Sequence, residues 1–246
     1  MKYIIAIVLM SSFYSFSQIK NGVVTYGVQK NLIEEFKNKE YLSEFDREAT
    51  EVAPSIVFNL FFNKAEVGFS VKEITLPENQ TVTDMTYLIG FTEKIYENKK
   101  KKIYRTYSNS SRIGEVVNVD SLQYKWTITS ETKEINGYNC YKATTPQFGD
   151  NGAIASKYDI TAWFTPKIPV PYGPNGYGNL PGLILELQSF YSVLYVKTID
   201  LNLKEDPKID KLENYPQLTE DEIIKYMTST LTPEQKKAVM DSKRIK

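Results

Sequence analysis

Short runs of aromatic and β-branched residues, separated by clusters of Asn, Gly, Ser or Lys, recur along most of the chain. The clearest pair is 124–134 and 138–145, two alternating runs that flank Asn136-Gly137. Asn-Gly accepts the positive φ angles of a two-residue turn, so this pair predicts a β-hairpin. The 18 Tyr and 12 Phe residues favour the same structure, because aromatic side chains pack well on a pleated sheet. The pattern predicts a mainly β domain built as an antiparallel meander.

Other runs of the same kind are predicted to be further strands of this meander. They cover residues 20–29, 55–62, 65–71, 85–90, 93–97, 102–107, 113–119, 158–165, 183–187 and 191–203. We expect a single domain over residues 18–205, with its sheet curved into a half-barrel.

Helical patterns occur near both ends of the chain. Residues 31–50 place apolar side chains three and four positions apart, and Asn31 precedes Glu34 in a capping arrangement, so a helical insertion is predicted there. We expect it on or in the concave face of the sheet, either packed firmly or acting as a mobile lid. Residues 206–246 are predicted to form a linker and short peripheral helices, the first of which begins at Thr219.

The first seventeen residues are typical of a secretory signal peptide. Lys2 supplies a positive charge, residues 3–10 are apolar, and Ser15-Phe16-Ser17 places small residues before a cleavage point. The sequence therefore predicts export through a cleaved signal, to the periplasm or the exterior. No later run approaches the ~18 apolar residues that a spanning helix needs, so no transmembrane segment is predicted in the mature chain.

The absence of histidine limits the possible chemistry most strongly. None occurs in 246 residues, and Cys140 is the only cysteine. Histidine-dependent triads and His- or Cys-ligated metal sites are thereby excluded. We predict no catalytic residue, no metal and no cofactor. Cys140 lies in an alternating run and is expected to point inward as a small apolar side chain.

Charge gives little support to a nucleic-acid partner. The chain has 30 basic and 30 acidic residues, whereas phosphate binding needs a basic excess on one face. The one dense basic run, 99–102, is expected to cap a solvated hairpin. Among the carboxylates, Asp159 and Glu186 adjoin apolar strands and are the candidates for a two-carboxylate hydrolase; the alternative is that both point outward.

The segment from Ile168 to Gln188 has the most unusual local composition. Four Pro and four Gly lie within 168–182, which we name the Pro/Gly loop, and an apolar strand follows directly. Proline fixes φ and glycine permits positive φ, so the loop should have a defined path. It is either a tight crossover into a buried strand or a rigid lip over a binding cleft. Tyr172 and Tyr177 are expected to form an exposed aromatic surface there.

The motif Asn179-Leu180-Pro181-Gly182-Leu183-Ile184 resembles the signature of the GLPGLI family, exported proteins of Bacteroidetes with no known function. Further agreement lies upstream, at Trp126, 135–143, 161–165, Ile168-Pro169 and Gly173-Pro174. The resemblance implies an exported β-rich domain and no established activity. Asn179 replaces the first glycine of the signature, which is compatible with a left-handed backbone because asparagine also adopts it.

Three functional hypotheses follow. The favoured one is a non-enzymatic binding or accessory protein of the cell envelope, with an apolar cleft for a small molecule or lipid. Its candidate binding residues are Pro171, Tyr172, Gly173, Pro174, Tyr177, Asn179, Leu180, Pro181 and Gly182. The alternatives are a carboxylate-dependent hydrolase and a structural partner of an outer-membrane receptor, which would be recognised by strand addition at a sheet edge.

Overall fold

The computed structural model describes residues 19–31, 47–75, 78, 81–110, 113–122, 124–150 and 155–229. Within these ranges, twelve strands form one sheet: β1 (Gly22–Lys30), β2 (Val57–Phe62), β3 (Glu66–Glu73), β4 (Lys94–Asn98), β5 (Ile103–Ser110), β6 (Gly114–Asn118), β7 (Thr127–Ile135), β8 (Tyr138–Asp150), β9 (Ala155–Thr165), β10 (Leu183–Gln188), β11 (Ser192–Leu201) and β12 (Gln217–Leu218). Two helices are α1 (Val82–Leu88) and α2 (Glu220–Met227), and residues 47–52 are also helical.

The strand order is β12-β6-β5-β4-β3-β2-β1-β11-β10-β9-β8-β7. Each strand from β1 to β6 pairs with its sequence neighbour, as does each strand from β7 to β11, and β1 then pairs with β11 to join the two meanders. Every pairing is antiparallel except that of β12 with β6. The prediction of a mainly β, curved antiparallel meander is confirmed.

The main core lies on one face of the sheet, which we call the inner face. Alternate residues of the central strands are fully buried there, as Tyr26 of β1 and Phe58 of β2 show. Ala49 and Val52, from the helical residues 47–52, pack into the same core. The predicted helical insertion is therefore borne out at residues 47–50, while residues 32–46 lie outside the described residues.

The predicted strand at 85–90 is wrong, because most of this segment belongs to α1. The reason is a capping box: the Thr81 backbone N–H donates to Asp84 Oδ2 (2.9 Å), and the Asp84 backbone N–H donates to Thr81 Oγ1 (3.2 Å). Met85 and Ile89, four positions apart, are both fully buried. Helical spacing thus explains this apolar run better than alternation does.

The segment after β11 is more than a linker. Leu212 is only 1% exposed and packs with Tyr96, Tyr107 and Val117, which lie on the outer face of β4–β6. The predicted capping box of α2 is present, with Thr219 and Glu222 exchanging hydrogen bonds. Residues 230–246, the rest of the predicted helical tail, lie outside the described residues. No helix in the described part of the chain is long and apolar enough to cross a membrane.

Candidate functional site

The Pro/Gly loop has a fixed path over the inner face. Three backbone hydrogen bonds close it, joining Leu183 N to Ile168 O (2.9 Å), Asn179 N to Pro171 O (3.0 Å) and Ile184 N to Tyr172 O (3.0 Å). Asn175 and Asn179 adopt left-handed φ angles of 53° and 62°. Asn179 thus has the left-handed backbone with which its place in the motif is compatible. The loop also feeds β10 directly, as predicted.

Two glycines let this loop approach other backbone closely. A Cβ on Gly173 would lie 2.5 Å from Ile184 Cδ1 and 2.7 Å from Tyr177 O. A Cβ on Gly182 would lie 2.5 Å from the carbonyl carbon of Thr165 and still nearer its oxygen. A Cβ would clash with its neighbours at either distance, so only glycine fits at both positions.

Tyr124 and Trp126, in the segment before β7, hold the loop from one side. The Gly178 N–H donates to the Tyr124 hydroxyl (2.7 Å), and the Trp126 indole N–H donates to Gly178 O (2.8 Å). The Tyr177 ring packs against both, with its centre 5.3 Å from that of Tyr124 and 6.0 Å from that of Trp126. Tyr177 is only 7% exposed, so the prediction of an exposed Tyr177 is wrong: the loop turns it inward.

Tyr172 occupies the boundary between the loop and the sheet. Its ring packs against Phe62 at 5.2 Å between centres, and the Lys99 ammonium lies 5.0 Å from its ring centre. Lys99 also donates to Asn179 Oδ1 (2.9 Å) and to Pro171 O (3.3 Å). The basic run 99–102 forms the end of the hairpin between β4 and β5, as predicted. Lys99 is the exception within the run, because its ammonium binds the Pro/Gly loop.

An open cleft of about 470 Å³ lies beside residues 169–172 of the loop. One part of the cleft wall is apolar, because Ile19, Pro169, Pro171 and Tyr172 line it and are half-buried or exposed, with the buried Phe62 and Val170 beside them. The lysines of the cleft are Lys20, Lys64 and Lys100, and its remaining member is Asn63. None of these lining residues is acidic.

Across the Pro171–Tyr172 wall lies a second, smaller cavity of about 50 Å³. Five of the nine predicted binding residues line it: Pro171, Tyr172, Gly173, Tyr177 and Asn179. The other four lie outside both spaces, with Pro174, Leu180 and Gly182 buried and Pro181 exposed. The loop thus forms part of two adjacent spaces rather than the lip of one.

Glu97 of β4 also lines the smaller cavity, and the sequence-based prediction missed it. It pairs across the sheet with Val67 on β3 and Tyr104 on β5. Burial raises the pKa of its carboxyl, an effect that the nearby Lys99 charge opposes. The signal was present in the sequence, because Glu97 shares strand parity with the buried Ile95.

The carboxylates selected from sequence are not arranged as a catalytic pair. Asp159 is exposed, whereas Glu186 receives two hydrogen bonds from Lys133 Nζ (2.8 and 2.7 Å). Glu186 pairs with Trp163, four residues along β9 from Asp159. Four residues of a strand span about 13 Å, beyond the roughly 5–10 Å that separates glycosidase carboxylates.

Cys140 is fully buried, as predicted. Burial raises the pKa of its thiol to about 11, so the thiolate is scarce at neutral pH. No group of three or more His, Cys, Asp or Glu side chains that could hold a metal ion occurs among the described residues.

A family model described as "Protein of unknown function (Porph_ging)" matches residues 146–186. This family is associated with Bacteroidetes, and the match contains the whole Pro/Gly loop. Assignment to the GLPGLI family stays a prediction. No curated protein matches the chain.

Two crystal structures of PNGF-II have a similar fold. The structure in space group C2 has a TM-score of 0.50 at 16% identity, and the match covers 85% of this chain and 32% of PNGF-II. The structure in space group P21 has a TM-score of 0.50 at 17% identity, with 84% and 33% covered. The chain thus spans about a third of the length of PNGF-II, and the likeness is one of fold alone.

Proposed function

We propose that the protein is an exported binding protein of the cell envelope, and that its cleft beside the Pro/Gly loop takes an apolar ligand with a negatively charged end. The observation that carries this proposal is the pairing of an apolar wall with three lysines. A volume of about 470 Å³ falls within the ~300–1,000 Å³ of typical small-molecule sites. A fatty acid or an anionic lipid chain has the matching chemistry.

The apolar part of the ligand would contact Tyr172 together with Ile19, Pro169 and Pro171, which line the cleft and are at least partly exposed. The Tyr172 ring is held by Phe62 behind it and by the Lys99 ammonium. A pre-positioned aromatic wall lowers the entropic cost of binding, because little side-chain freedom remains to be lost. Burial of apolar ligand surface there contributes about 25 cal/mol per Å².

The charged end would be met by Lys20, Lys64 and Lys100, which are all exposed. Among the described residues, none of their ammonium groups has a carboxylate within ion-pair distance. Exposed ion pairs contribute only about 0.2–1 kcal/mol each. The lysines would therefore select the sign of the ligand's charge, while the apolar wall would supply most of the affinity.

A fluorescent fatty acid tests this proposal, with dodecanol and dodecylamine as neutral and cationic competitors. We expect saturable binding that dodecanoate, which has the same chain length, displaces better than either competitor. Tyr172→Ala should weaken binding by removing the apolar wall. Changing Lys20, Lys64 and Lys100 together to Gln should weaken fatty-acid binding about ten-fold, the sum of a few exposed ion pairs, and leave dodecanol unaffected.

A matched triple variant provides the control. Lys72, Lys204 and Lys208 are exposed and lie outside the cleft, so their change to Gln should leave binding intact. Equal loss of fatty-acid binding in both triple variants would show a nonspecific charge effect. The absence of any saturable binding to the unaltered protein would refute the proposed function.

The edge strand β7 gives little support to the receptor-partner alternative. In the described part of the chain it pairs with β8 alone, and the pairing shifts between Ile128 and Thr132. Glu131 and Glu134 are exposed along it. Charges and irregular pairing are features that discourage strand addition.

A further inference from the structure

The smaller cavity differs from the open cleft in having a carboxylate in its lining. Among the described residues, it is lined by Glu97, by Lys99 and by four tyrosines, Tyr104, Tyr124, Tyr172 and Tyr177. The Pro171–Tyr172 wall belongs to both spaces. The two sites lie side by side but differ in size and in their charged groups, so we expect them to bind different ligands.

Glu97 occupies a place where an apolar side chain would be expected. Its strand partners on the inner face are Val67 and Tyr104, and Ile95, two positions earlier, is buried in the core. Glu97 is itself half-buried. No hydrogen-bond or ion-pair partner for its carboxylate is found among the residues that the structure describes. A carboxylate in such surroundings is costly unless a partner compensates it.

Lys99 is the nearest candidate partner, but its ammonium is committed to the loop. It donates to Asn179 Oδ1 and Pro171 O, and it lies over the Tyr172 ring. It makes no ion pair with Glu97 within 4 Å. The charge of Lys99 reaches Glu97 only at longer range, which leaves the carboxylate oxygens available to a donor inside the cavity.

Tyr104 and Tyr124 line the cavity beside Glu97, together with apolar residues that include Leu60, Phe69 and Ile95. Tyr124 is fixed by its hydrogen bond from Gly178 N. Tyr104 lies against the loop so closely that a Cβ on Gly176 would be 2.6 Å from its hydroxyl oxygen. A carboxylate beside aromatic rings attracts organic cations. A volume of about 50 Å³ holds roughly three or four water-sized groups.

We propose that this cavity binds a compact organic ammonium group, such as the end of a primary amine, through the carboxylate of Glu97 and the rings of Tyr104 and Tyr124. An organic cation is favoured over a metal ion because Glu97 is the one acidic side chain among the described residues that line the cavity. This site is independent of the proposed fatty-acid cleft, and either can exist without the other.

Saturation-transfer NMR on the exported chain tests the proposal with ethylammonium chloride as the probe. Ethanol, which has the same number of heavy atoms, and sodium acetate serve as neutral and anionic comparisons at constant ionic strength. We expect a saturable signal for ethylammonium alone. Glu97→Gln, which keeps the shape and removes the charge, should weaken its binding at least ten-fold.

Glu134→Gln is the matched control, because Glu134 is exposed on the edge strand β7. It should bind ethylammonium as the unaltered protein does. Circular dichroism of both variants establishes that the fold is retained. Equal binding by ethanol and ethylammonium in the unaltered protein would overturn the proposal without reference to any variant. Undiminished ethylammonium binding in folded Glu97→Gln would overturn it as well.

Discussion

Gly182→Ala tests whether the Pro/Gly loop is as tightly packed as the structure shows. The new Cβ would lie 2.5 Å from the Thr165 carbonyl carbon, about 1 Å inside an ordinary contact. Thr165 is fully buried and pairs with Leu183, the residue after Gly182. Relief of the clash therefore requires the start of β10 to move away from β9. Overpacking costs about 1–3 kcal/mol, and we expect about 3 because backbone is displaced.

Gly137→Ala separates this effect from backbone strain. Gly137 has φ +79°, but a Cβ there would meet nothing within 4 Å. Its cost is the left-handed conformation alone, about 1–2 kcal/mol. At roughly 2–4 °C per kcal/mol for a chain of this size, Gly182→Ala should lower the melting temperature by about 6–12 °C and Gly137→Ala by about 2–8 °C.

Urea unfolding followed by tryptophan fluorescence measures both free energies, since the chain has two Trp residues. The decisive quantity is the difference in free energy of unfolding between the two variants. If Gly182→Ala proved no more destabilising than Gly137→Ala, the close contact between the loop and Thr165 would be wrong.

Three further predictions concern buried groups. Burial raises the pKa of Glu97 above its usual 4.5, so ionisation of this carboxyl opposes folding. The Glu97→Gln variant should therefore match the unaltered protein in stability at pH 4 and become progressively more stable than it as the pH rises to 7. Urea unfolding at each pH would check this. Tyr26 is fully buried and its hydroxyl donates to Ile184 O (2.6 Å). Tyr26→Phe should lower the free energy of unfolding in urea by about 1–3 kcal/mol. An unchanged free energy of unfolding would contradict the hydrogen bond. Cys140, with its pKa raised to about 11, should resist iodoacetamide at pH 8 in the native protein and react in urea, as mass spectrometry would show.

Local patterns in the sequence predicted most of the sheet. The Asn136-Gly137 turn joins β7 and β8 as expected, with both residues at positive φ. The prediction failed at 85–90, where Met85 and Ile89 suit either period and the capping pair of Thr81 and Asp84 decides for helix. A short apolar run does not by itself show whether the segment is a helix or a strand, whereas the capping residues at its start can.

The candidate site was less accessible from sequence, because it depends on contacts between distant segments. The left-handed backbone at Asn179 followed from its residue type. The inward turn of Tyr177 depends on Tyr124 and Trp126, more than fifty residues away. Glu97 was detectable by its parity with Ile95, but the tyrosines around it are assembled only by the fold.

Native mass spectrometry of the protein purified gently from the envelope of its own host tests lipid binding in the cleft. We expect a reproducible added mass of lipid size, released by an excess of palmitate and lost when Tyr172 is changed to Ala. A bare protein mass that stays bare after incubation with palmitate would contradict the cleft as a lipid-binding site.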